Sequence, residues 1–149
     1  MKKKLKKKYF FKKIVKKNKF KTIILKKGNL EKIVDKKSKY FNGFGEMYFS
    51  NIKKNMIKAW KLHKKNTSLI FVVSGKVKFV FYYKNFFYEI VLNKNKSNLL
   101  QIPPNIWFGF KGIDSNNVVC NFMNNLHSDS EVLNKEINEM SFKWKKKII

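Results

Sequence analysis

The stretch that decides the fold is Leu69-Ile70-Phe71-Val72-Val73-Ser74-Gly75-Lys76-Val77-Lys78-Phe79-Val80-Phe81-Tyr82-Tyr83-Lys84-Asn85-Phe86-Phe87-Tyr88-Glu89-Ile90-Val91-Leu92. Three runs of β-branched and aromatic residues are separated by Ser74-Gly75 and Lys84-Asn85. Each run has strand length, and each break holds residues that accept the left-handed backbone of a tight turn. The pattern is strand, turn, strand, turn, strand.

It continues in both directions. Upstream, Glu46 to Ser50 and Met56 to His63 read as strands joined by a hairpin at Lys53-Lys54-Asn55. In the second of these, alternation puts Ile57, Ala59, Lys61 and His63 on one face, and Lys58, Trp60 and Leu62 on the other. Downstream, Leu99 to Ile102, Trp107 to Phe110 and Val118 to Met123 complete the set. Short strands with turns every 8–12 residues predict an all-β fold, and about eight strands suit a double-sheet jelly roll. Residues 130–140 are the one helical segment expected, capped by Asp129 or Ser130, with Lys135 and Glu139 one turn apart.

The 149 residues suit one domain with a real core. Apolar residues make up 44% and aromatics 16%, too many for a disordered chain. The net charge is +26, yet all 35 cations are lysine. Readers of nucleic acid favour arginine for bidentate contacts to guanine and phosphate, so its absence argues against that role. Lys, Asn, Ile, Phe and Tyr share A- and T-rich codons, and a biased genome would raise them together. Residues 1–27 hold 14 of the lysines and none of the nine acids. Residues 1–18 are expected to form a Lys-rich flexible arm, with the barrel domain over 19–149. Cys120 alone cannot form an internal disulfide, which suits a reducing, cytoplasmic compartment. No segment reaches the ~18 apolar residues of a membrane span.

Three blocks in order resemble the dTDP-4-dehydrorhamnose 3,5-epimerases, a branch of the cupins. They are Gly45-Glu46-Met47-Tyr48-Phe49-Ser50, Ile57-Lys58-Ala59-Trp60-Lys61-Leu62-His63, and Ile102-Pro103-Pro104-Asn105-Ile106-Trp107-Phe108-Gly109-Phe110. Val73-Ser74-Gly75-Lys76-Val77 fits the family's central turn, and the similarity runs over roughly residues 20–140. The resemblance implies a cupin-type jelly-roll barrel and an isomerase acting on a dTDP-4-keto-6-deoxyhexose for rhamnose and surface polysaccharide. A histidine removes protons beside the keto group at C3 and C5, a tyrosine returns them on the other face, and a cation steadies the enolate. Neither metal nor redox cofactor is implied, and the usual partner is a second copy of the chain.

Carried onto this sequence, the base is His63, whose ordinary pKa near ~6.5 suits proton abstraction at neutral pH. The tyrosine motif reads Asn124-Asn125-Leu126-His127, which makes His127 the acid. Substrate contacts fall to Glu46, Tyr48, Trp60, Lys61, Lys64, Tyr83 and Trp107. The sequence also departs from the family. Trp60 stands where an arginine is usual, Ser68 where the enolate-stabilising lysine falls, and Phe108 in place of a histidine. The carboxylate that orients the base has no evident C-terminal counterpart, and Glu46 is the stand-in. A metal cupin needs about three histidines and a glutamate, and the chain has two histidines. Two alternatives remain: a related 3,4-ketoisomerase, and a sugar-nucleotide-binding cupin without catalysis.

Overall fold

The computed structural model describes residues 10–144. Among the described residues are twelve strands: β1 (Lys16–Lys19), β2 (Lys21–Leu25), β3 (Gly28–Lys32), β4 (Glu46–Lys53), β5 (Ile57–His63), β6 (Ser68–Ser74), β7 (Lys76–Tyr83), β8 (Phe86–Asn93), β9 (Asn98–Ile102), β10 (Trp107–Gly112), β11 (Asn116–Met123) and β12 (Val132–Asn134). Ten of them form two five-stranded antiparallel sheets, ordered β1-β9-β6-β11-β4 and β12-β5-β10-β7-β8. The fold is the expected jelly roll, and all eight strands read from sequence are found. β2 and β3 make a separate hairpin.

The turns explain the chain path: the chain crosses from β6 in the first sheet to β7 in the second, and the hairpin expected at Lys53-Lys54-Asn55 is likewise a crossing between sheets, from β4 to β5. Gly75 has φ +76° between β6 and β7, and a Cβ there would lie 2.3 Å from the Asn116 carbonyl oxygen. Lys84 and Asn85 both take positive φ between β7 and β8, the signature of a two-residue hairpin turn whose twist matches the strands. The inner faces then follow by alternation. Val77, Phe79 and Phe81 of β7 meet Ile70 and Val72 of β6, Leu100 and Ile102 of β9, and Val119 of β11 in the main core.

The N-terminal segment corrects the expected boundary. Residues 1–9 lie outside the described residues, but 10–18 of the expected arm are folded. A helical turn over residues 10–14 leads into β1, which pairs with β9. Phe11 is fully buried, 4.7 Å from the Tyr88 ring and 5.6 Å from Phe81. Its lysine neighbours point to solvent. The charge run concealed two apolar anchors, Phe11 and Val15.

Both sheets are covered on the outside. Tyr40 and residues 33–34 lie over Leu69, Leu99, Phe71 and Phe122 on one. On the other, Phe142 and Trp144 pack with Trp60 and Phe87. The helix expected over 130–140 is absent. Two single 3-10 turns, Asp129–Glu131 and Ile137–Glu139, flank the short strand β12. β12 supplies the edge of the second sheet by pairing with β5, and tertiary pairing overrides the weak helical pattern.

Candidate active site

β5 departs from simple alternation. Phe108 of β10 pairs with Lys61 and Phe110 with Lys58, with a register shift between them. Gly109 of β10 thus opposes both Ala59 and Trp60 of β5, so a bulge turns both Lys58 and Lys61 toward the cavity. Gly109 permits it, because a Cβ there would sit 2.4 Å from the Ala59 Cβ. The alternation read from sequence put Lys58 on the opposite face from Lys61, and the bulge corrects it.

The cavity between the sheets measures about 390 Å³. Tyr48, Ser50, Val119 and Asn121 form one wall. Lys58, Lys61, Phe108 and Phe110 form the other, and Asn134, Lys135 and Glu136 stand at the rim. Three lysines against one glutamate give the opening a net positive field that draws anions.

His63 lies at the inner end of β5, 3% exposed, with its ring stacked on Phe108 at 6.1 Å. Phe108 therefore touches both the cavity and the imidazole. His63 Nδ1 meets Glu131 Oε1 at 2.6 Å, and both side chains are buried. Its Nε2 is enclosed and has no hydrogen-bond partner. Burial pushes the Glu131 carboxyl up. Bonds from the His63 ring and from the backbone N–H groups of Lys65 and Asn66, with the charge of His63, outweigh it and hold the carboxyl below its usual range. In the neutral imidazole an ionised carboxylate on Nδ1 holds the proton there, and Nε2 is then the unprotonated nitrogen a base requires.

Glu131 corrects the expectation of a missing carboxylate. It belongs to the C-terminal segment, 68 residues from His63. The Asp129-Ser130-Glu131 run held the signal, but its reading as a helix start hid it. Glu46 does not hold His63. It lies at the end of β4, half-buried, and acts on Tyr48 through its charge.

Tyr48 faces the cavity from the sheet opposite His63, and its hydroxyl accepts a hydrogen bond from Asn121 Nδ2 at 2.7 Å. Burial raises its pKa, the Asn121 bond works against this, and the charges of Glu46 and Glu131 add to the rise, so the phenol keeps its proton at neutral pH. Asn121, unmarked in the sequence, is its cross-strand partner.

The other expected residues are placed elsewhere. His127 is exposed and pairs with Asp129 at 3.3 Å, away from the cavity. Lys64 is exposed, and only its backbone N–H reaches the dyad's segment, at the Glu131 carbonyl. Tyr83 packs on the core. Trp107 pairs with Tyr82 and lies beneath Lys135 Nζ, 5.3 Å from its ring centre. Trp60 borders the cavity, but its ring belongs to the outer aromatic cluster and its Nε1 donates to the Ile137 carbonyl. Of the predicted set, Tyr48, Trp60 and Lys61 border the cavity, with His63 behind Phe108.

The family described as FdtA: WxcM-like, C-terminal matches residues 13–142. The chain belongs to this WxcM-like family. None of the curated proteins matches it by sequence. Among solved structures, this WxcM-like chain is similar to a dTDP sugar isomerase from Desulfovibrio desulfuricans G20. The two share 26% identity and a TM-score of 0.80, over 87% of this chain and 90% of that one. It also resembles QdtA, a sugar 3,4-ketoisomerase from Thermoanaerobacterium thermosaccharolyticum solved with TDP (23%, TM-score 0.73, 80% and 87%). A third is dTDP-4-dehydrorhamnose 3,5-epimerase from Bacillus anthracis str. Ames with TDP and PPi bound (17%, TM-score 0.77, 87% and 84%). The resemblance read from sequence thus holds at the level of fold, shared with both epimerases and ketoisomerases.

Proposed function

We propose that the protein is an isomerase of a dTDP-linked 4-keto-6-deoxyhexose and works by enolisation at C3. The observation that carries this reading is the buried His63–Glu131 pair, whose unpartnered imidazole nitrogen is enclosed within the fold, with the ring stacked on Phe108 of the cavity wall. With the Phe108 ring turned aside, His63 Nε2 takes the C3 proton. The C–H electrons form the C3=C4 bond, and the charge passes to the C4 oxygen. Lys61, on the cavity wall two residues before the base, stabilises that oxygen. The Tyr48 hydroxyl returns a proton to C3 on the opposite face, solvent reprotonates the phenolate, and the imidazolium gives its proton to solvent. Repetition at C5 gives the 3,5-epimer. Lys58 and Lys135 hold the diphosphate at the rim. His127, exposed and paired with Asp129, has no part in this scheme.

A second reading is supported by the likeness to the sugar 3,4-ketoisomerase. There the same C3 deprotonation gives an enediolate that is protonated at C4, moving the keto group to C3. Proton NMR of the product of dTDP-4-keto-6-deoxyglucose separates the two. Inverted C3 and C5 support epimerisation, and a 3-keto product supports the ketoisomerase. Tight binding of dTDP with unchanged substrate supports the non-catalytic alternative and contradicts the proposal.

We place the protein in the cytoplasm, on its single buried thiol, and as a homodimer. β4 is a sheet edge, with Met47 and Phe49 more than half exposed on its outer face, and such edges pair or are covered.

A further inference from the structure

Asn66 follows the end of β5 and is 1% exposed. Its Nδ2 donates to Glu131 Oε1 at 3.1 Å, the same oxygen that meets His63 Nδ1. It also reaches the carbonyls of Asn125 and Leu126 at 3.4 and 3.5 Å, and its Oδ1 accepts from Asn125 Nδ2 at 2.8 Å. The 124–126 loop is itself fixed. Asn124 Oδ1 accepts from the Thr67 N–H at 2.8 Å, and Gly45 lets the loop approach, since a Cβ there would lie 2.0 Å from the Asn125 carbonyl carbon.

A glutamate carboxylate turns freely about its last torsion unless both oxygens are held. Here the Lys65 N–H holds Oε2 at 3.3 Å and Asn66 holds Oε1. Together they set the plane in which Oε1 receives the imidazole. A structural amide would only satisfy the two loop carbonyls, and the bond to the dyad's own oxygen goes beyond that need.

We infer that Asn66 is a positioning residue: it clamps the Glu131 carboxylate to the 124–126 loop and so fixes the tautomer of His63. The catalytic part of this inference rests on the proposed role of His63, but the tautomer does not.

The test uses the full chain, whose two histidines give separate signals in long-range proton–nitrogen NMR, with exposed His127 as the internal reference. The unaltered protein shows His63 protonated on Nδ1. Asn66→Ala and the equal-sized Asn66→Asp both yield mixed tautomers. C3 deuterium exchange slows roughly tenfold with KM within about twofold, as when carboxylates that orient metal-bound histidines are lost. Asn125→Ala has an intermediate effect. Folded Asn66 variants with an unchanged His63 spectrum and unchanged exchange would overturn the inference. If neither folds, an unchanged spectrum in Asn125→Ala overturns it. A shifted tautomer in a protein with no exchange activity at all supports the clamp and contradicts only the proposed reaction.

Discussion

Glu131 Oε1 lies 2.6 Å from His63 Nδ1 because β12 pairs with β5 in the register that sets Val132 opposite His63. The short strand thereby delivers the carboxylate that immediately precedes it to the end of β5. Three residues of pairing build the candidate base.

Glu131→Gln keeps the shape and removes the charge. We expect kcat to fall by roughly 10²-fold or more, within the range attributed to general-base catalysis, with KM little changed. Steady-state kinetics over pH check it.

The same carboxyl links stability to acid. Its folded pKa is depressed, so its contribution is present above the unfolded value, about 4.3 for glutamate. The contribution is lost as pH falls through the lower folded value. Urea unfolding of the unaltered protein should therefore steepen in pH dependence below about pH 4.5, and Glu131→Gln should flatten it.

Tyr48→Phe removes the hydroxyl that faces the cavity. Product formation should drop by roughly 10²-fold while deuterium still enters C3, because deprotonation precedes the step that uses the phenol. Equal loss of exchange and product would remove Tyr48 from the second step.

Phe11→Ala tests whether the lysine-rich segment belongs to the domain. Phe11 is fully buried against Phe81, Phe86 and Tyr88, and truncating such a ring costs about 3–5 kcal/mol. Equilibrium urea unfolding reads it, and a change under about 1 kcal/mol would contradict the packing.

Cys120 should resist alkylation. Burial pushes its thiol up to about 11, and the thiolate is the reactive form. Iodoacetamide at pH 8 should label it only when the protein is unfolded, as mass spectrometry would show.

The strands were legible because alternation and turn residues are local signals. Lys84-Asn85 and Ser74-Gly75 marked their turns without any tertiary information. His63 and Tyr48 were candidates through the family-like blocks that hold them, Tyr48 as a substrate contact and not as an acid. What the sequence hid is non-local. Lys58 reaches the cavity only through a bulge accommodated by Gly109, one strand away. Glu131 and Asn66 meet across 65 residues, and neither position is unusual in its neighbourhood. Phe11 was masked by flanking lysines whose charge described the surface and not the core.

The most direct test of enolisation by His63 is proton NMR of dTDP-4-keto-6-deoxyglucose in deuterium oxide with the unaltered protein and His63→Ala. The account predicts loss of the C3 proton signal with the former and its persistence with the latter. Persistence with both, or loss with both, would contradict it.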